Sequence, residues 1–138
     1  MSIQEQEQVK KEYYTEAMRY MSNAKECLNK AKMDKEGRYY DDTKYVKMAC
    51  GTAYSGVLVA LDGFLKLKGV KAPTGKDRKS IEYYTGSISK IDKKMLNSLN
   101  STYKILHLWG YYDGIEKVDV VKSGFAEAKT LINKIKPN

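Results

Sequence analysis

Residues 43–68 read TKYVKMACGTAYSGVLVALDGFLKLK, and two stripes run through them. Ala49, Ala53, Gly56, Ala60 and Gly63 recur at intervals of 4, 3, 4 and 3, which places a row of small side chains along one face of a helix. Tyr54, Val57, Leu58, Leu61 and Leu65 make a bulky face beside it. An interior glycine costs a helix about 0.5–1 kcal/mol relative to alanine. Gly51, Gly56 and Gly63 therefore point to backbones in close approach, either inside a bundle or between two chains. Asp41-Asp42-Thr43 supplies side-chain acceptors to cap the helix start. From Met48 to Leu67 the segment is apolar enough to raise the question of a membrane span. It contains Asp62, Thr52 and Ser55, however, and is expected to be a buried core helix.

Upstream, Tyr14, Ala17, Met21, Ala24, Leu28 and Ala31 step by 3, 4, 3, 4 and 3, and their alanines match the small stripe of residues 43–68. Downstream, Gly69 to Gly75, with Pro73, reads as a loop. Ile81, Tyr84, Ile88 and Ile91 predict a shorter helix ending near Asp92. Met95, Leu96, Leu99, Tyr103 and Leu106 continue with helical spacing toward His107, and Gly110 and Gly114 bracket an expected turn at Tyr111-Tyr112-Asp113. The last helix steps through Val118, Val121, Phe125, Ala128, Ile132 and Ile135 before Pro137 stops it. No stretch alternates with the period of a strand. The expected fold is all-α, one domain over residues 1–138: an antiparallel four-helix up-and-down bundle with an additional short helix.

The chain has 138 residues, 25 Lys+Arg against 17 Asp+Glu, and a net charge of +8. One histidine, His107, and two cysteines, Cys27 and Cys50, are too few for a histidine-rich metal centre, a cysteine zinc site or a disulfide framework. No metal and no cofactor is expected. A bundle di-metal centre is excluded on the same ground, because Lys104 stands three residues before the single histidine. The polar start, Met1-Ser2-Ile3-Gln4-Glu5, lacks a secretory apolar region, so a cytoplasmic protein with no membrane partner is expected. Residues 66–79 carry six basic side chains against Asp77 alone, a run that includes Lys76, Arg78 and Lys79 and could meet phosphate or an acidic partner. Gly69 to Lys76 imitates a phosphate-binding loop but fails: five residues separate its glycines, Asp77 replaces the Ser/Thr, and a helix precedes it.

The chemistry-bearing residues concentrate in Asn100 to Asp113. His107, the only histidine, lies here with Trp109, the only tryptophan, and the pair Tyr111-Tyr112. Eight of the twelve tyrosines come as doublets, in which one ring can enter the core while its neighbour keeps a wet hydroxyl. Near neutral pH His107 could act as acid or base, or simply pack and cap.

The plan resembles the HEPN family of helical bundles (higher eukaryotes and prokaryotes nucleotide-binding). The likeness rests on the opening Tyr/Ala helix, on Ala49-Cys50-Gly51-Thr52-Ala53-Tyr54, on a penultimate helix ending in His107 before a Gly-Tyr turn, and on the closing amphipathic helix. Many members are metal-independent ribonucleases that dimerise and use an arginine four to six residues before the histidine; others serve as partners of nucleotidyltransferases or as interaction modules. Here Asn100, Ser101 and Thr102 stand where the arginine would be. Lys104 is nearer and lacks the planar fork of arginine. The resemblance thus implies a bundle and a homodimer, with a nucleotidyltransferase as the kind of protein partner, rather than a reaction. The expected function is a non-catalytic binding or regulatory module using His107, Trp109, Tyr111 and Tyr112, flanked by Lys76, Arg78 and Lys79. The alternative is a ribonuclease or RNA-binding protein with a non-standard site, in which His107 is the base and Lys104 steadies phosphate charge.

Overall fold

Ser2 opens the first helix. Its hydroxyl accepts from the Glu5 N–H, and the Glu5 carboxylate accepts in return from the Ser2 N–H, a reciprocal cap. In the computed structural model, which describes residues 1–74 and 79–138, this helix is α1 (Ile3–Asn29). Asp42 then caps α2 (Thr43–Leu67), accepting from the Lys44 N–H at 3.1 Å. Ser80 caps α3 (Ile81–Ser89), and Asp92 caps α4 (Lys93–Thr102). From Tyr103 to Tyr112 the same helix continues in the wide π winding. The chain closes with α5 (Val118–Ile132) and a single 3-10 turn, Asn133–Ile135.

Close approaches fix the order of packing. A side chain at Gly56 would meet Tyr20 Cβ at 2.9 Å and the Ala17 carbonyl at 3.1 Å, and one at Gly63 would meet Tyr13 Cβ at 2.6 Å. Positions rise on α2 as they fall on α1, so the two run antiparallel. The small stripe is thereby spent inside the bundle, against α1. Gly110 lies on Cys50, Gly51 on Tyr111 and Gly124 on Ile105 and Leu106. Gly114 lies on Thr43 and Lys47 and Tyr103 on Tyr54, so positions fall on the π segment as they rise on α2: the two run antiparallel, and the π segment packs on α5. The fold is an all-α bundle in which α3 is the short additional helix.

α2 is the one helix among the described residues long and apolar enough to cross a membrane. Twelve of its residues are nevertheless buried by the bundle, and Asp62 accepts a hydrogen bond from the Tyr84 hydroxyl at 2.8 Å and pairs with Lys79 at 3.3 Å. It is the core helix of this fold. The expected stripes of α1 and α5 are likewise buried at Ala17, Met21 and Ala24, and at Val121, Ala128 and Ile132.

One local expectation is corrected. The penultimate helix does not end at His107, and Gly110 to Gly114 do not bracket a three-residue turn. Tyr111 and Tyr112 are helical, and the reversal is confined to Asp113 and Gly114, where φ is +66°. Gly110 serves close packing rather than a bend, because a Cβ there would lie 2.5 Å from the Cβ and Sγ of fully buried Cys50.

Candidate functional site

The π winding decides which side chains meet. Its hydrogen bonds run from i to i+5, so residues four and five apart stack on one side. Tyr103, His107, Tyr111 and Tyr112 share such a side. The His107 ring lies 5.2 Å from Tyr103 at 26°, 5.9 Å from Tyr111 at 11°, and 5.0 Å from Tyr112 edge-on at 81°. Tyr54, buried on α2, completes the group at 4.8 Å and 30° from His107. These separations fall in the range in which aromatic pairs attract beyond their burial.

Beside the rings is an open cleft of about 520 Å³ between α1, α2 and the π segment, lined by Tyr20, Met48, Tyr54, Leu58, His107 and Tyr111 among others. Among the described residues, no Lys, Arg, Asp or Glu lines it. Thr52 and Ser55, also in its lining, donate to their own helix, Thr52 to the Met48 carbonyl at 2.8 Å and Ser55 to that of Gly51 at 3.1 Å. Tyr111 and Tyr112 stand out at its edge, 46% and 61% exposed. Burial holds the pKa of His107 below its ordinary value of 6.5, so the imidazole is neutral at physiological pH. Burial also raises the Tyr54 hydroxyl, with Tyr103 adding to the effect.

The expected site residues divide. His107, Tyr111 and Tyr112 are brought together. Trp109, two residues beyond His107, points to the other side of the segment, where the Lys104 ammonium lies over its indole at 5.0 Å. Adjacency in sequence had grouped Trp109 with His107, and the winding separates them. Lys104, expected to steady phosphate charge in the cleavage alternative, thus has its ammonium over Trp109. Lys79 is bound to Asp62, eight residues along α2 from Tyr54 and so about 12 Å away at 1.5 Å per residue. Lys76 and Arg78 lie outside the described residues. Of the two cysteines, Cys50 is buried against Gly110, which pushes its thiol up to about 12, and Cys27 donates to the Tyr45 carbonyl at 3.7 Å. Among the described residues no three His, Cys, Asp or Glu side chains gather as metal ligands would.

Sequence reasoning missed Tyr54 and Tyr103 as members of the group. The spacing Tyr103, His107, Tyr111 carried a signal for the second, whereas Tyr54 reaches the site only through the packing of α2. Met48, Tyr20 and Gly51 were missed for the same reason.

A family model described as Domain of unknown function (DUF5618) matches residues 12–137. The chain belongs to the DUF5618 family. The match takes in every element that builds the aromatic group, from Tyr20 on α1 to Tyr112. Among solved structures, this DUF5618 chain is similar to a protein of unknown function from Dyadobacter fermentans, with 40% identity and a TM-score of 0.77. The alignment covers 91% of this chain and 94% of that one. Comparison with curated proteins returns no match.

Proposed function

We propose that this protein is a HEPN-like, non-catalytic binding or regulatory module that works as a dimer, and that a second copy docks on the face formed by His107, Tyr111 and Tyr112. One observation carries the reading: two exposed tyrosines stand beside an open cleft that, among the described residues, no Lys, Arg, Asp or Glu lines, on the same face of the same chain. A two-fold interface requires self-complementarity, a protruding element and its receptor on one patch. Here the Tyr111-Tyr112 edge is the protruding element and the cleft over Tyr54 the receptor.

Charge favours the same occupant. Two copies of a chain with net +8 repel, and they meet at least cost where neither presents a cation. The neutral imidazole of His107 keeps the face uncharged. Rigid aromatic side chains around a desolvated pocket are also the composition of strong interface centres. As a ribonuclease centre the face draws less support, since Lys104 and Lys79 are engaged away from His107.

Solution mass by light scattering tests the reading. The wild-type protein is expected as a dimer, and Tyr112→Glu as a monomer with unchanged helicity by circular dichroism. A wild-type monomer at the highest attainable concentration, or a Tyr112→Glu dimer, would overturn it.

A further inference from the structure

Lys104 and Trp109 are left over from the aromatic face, and they belong to a surface of their own. Lys93, Lys94, Asn97, Asn100 and Lys104 are all exposed, and their helical spacing puts them in one row along α4 and its wide continuation. From Lys93 to Lys104 the row is about 16 Å long at 1.5 Å per residue. No carboxylate interrupts it: the sequence between Asp92 and Asp113 contains neither Asp nor Glu. Among the described residues, none of Lys93, Lys94 and Lys104 has a carboxylate within ion-pair distance. Three like charges therefore share one face with no ion-pair partner among the described residues. At the far end, beyond the Lys104 ammonium, Trp109 borders an open cleft of about 300 Å³ with Ile115 and Asp113.

We propose that this row binds single-stranded nucleic acid. Lys93, Lys94 and Lys104 take phosphates, the Asn97 and Asn100 amides donate to phosphate or sugar oxygens between them, and a base stacks on Trp109. Lysine and asparagine side chains are the usual donors to a nucleic-acid backbone. An aromatic ring at the end of a cationic track accepts any unpaired base by its face. A duplex keeps its bases stacked inside and could not use the indole. An acidic peptide could pair with the lysines, but only its occasional aromatic residues carry a flat ring, whereas every nucleotide brings one to Trp109. Asp113, the one carboxylate at this rim, repels phosphate and accepts from an exocyclic amino group, which sets the polarity of the track. The surface is separate from the face assigned to dimerisation, and the inference stands whether or not that assignment holds.

Trp109 is the only tryptophan, so its emission reports this site alone. The wild-type protein is titrated with fluorescein-labelled oligouridylate, following both anisotropy and Trp109 quenching. Saturable quenching that tracks the anisotropy is expected, weakening with salt. The logarithmic salt slope is about −0.7 per phosphate neutralised on a single strand, so three lysines give about −2. The double variant Lys93→Gln/Lys94→Gln should weaken binding at least tenfold and reduce the slope by about 1.4, which is two phosphates. Lys25→Gln, which removes an exposed lysine of α1 outside the row, should leave binding unchanged within about twofold. Both lysines are exposed, and circular dichroism checks that the fold is intact. No binding at low salt would overturn the proposal. So would binding without quenching, polyglutamate competing as well as oligouridylate, or full affinity in the double variant.

Discussion

Gly51 and Gly110 sit on opposite sides of the contact between α2 and the π segment, and alanine at each should do different damage. At Gly51 a new methyl would lie 2.7 Å from Tyr111 Cδ1, about 1 Å inside ordinary contact. The obstacle is the ring of a side chain 46% exposed, free to swing outward. Losing the stack on His107 costs about 0.5–1.5 kcal/mol. Alanine in the helix interior returns about 0.5–1 kcal/mol. The two nearly cancel, so Gly51→Ala should unfold in urea within about 0.5 kcal/mol of wild type, yet lose the dimer because Tyr111 no longer shapes the cleft. At Gly110 the methyl would lie 2.5 Å from Cys50 Cβ and Sγ and 3.1 Å from the Ile105 carbonyl. Cys50 is fully buried and cannot retreat, so the backbones must separate, an overpacking cost of about 1–3 kcal/mol or more. Trp109 emission follows both unfolding curves and light scattering gives the masses. A Gly110→Ala protein as stable as wild type would refute the close-approach reasoning, and a Gly51→Ala dimer would refute the role given to Tyr111.

Asp62 accepts from the Tyr84 hydroxyl and pairs with Lys79, so Asp62→Leu should cost about 1–3 kcal/mol in urea unfolding by stranding that hydroxyl, while Tyr84→Phe costs about 1 kcal/mol. An unchanged midpoint in Asp62→Leu would remove this anchor from the account. Because burial lowers the folded pKa of His107, protonation favours the unfolded chain. Its contribution is fully present above the ordinary value of 6.5 and is lost as pH falls from there toward the folded pKa. His107→Phe keeps a ring without the proton, and the pH profile of wild type minus variant should fall only in that window; parallel profiles would contradict it. Finally, iodoacetamide at neutral pH should label half-buried Cys27 well before Cys50, whose thiol is pushed up to about 12. Mass spectrometry of timed samples reads the order, and simultaneous labelling would show that the Cys50–Gly110 contact opens freely.

The architecture was legible because it is written in period. The stripe Ala49, Ala53, Gly56, Ala60, Gly63 faces α1, as the matching alanines of α1 imply, and the stripes of α1 and α5 are core positions. The first turns of α1 escaped the stripe argument since residues 3–13 are mostly polar, though Ser2 and Glu5 carry the capping signature in plain view. The site was less legible for a physical reason. A period of 3.6 assumes α winding, and nothing in Tyr103 to Tyr112 announces turns that close on the fifth residue. Gly110 looked like a bend because glycine has two uses, positive φ and close approach, and sequence does not say which applies. Tyr54 belongs to the group through tertiary packing alone.

The wide winding also links two surfaces that share no contact. His107 with Tyr112 and Lys104 with Trp109 are both pairs five residues apart. In α winding the members of such a pair would stand about 140° from one another. Rewinding the segment would therefore dismantle both pairs together. Occupancy of one side by anything that requires the wide form stabilises the other side by the same free energy, and by reciprocity the effect runs equally in both directions.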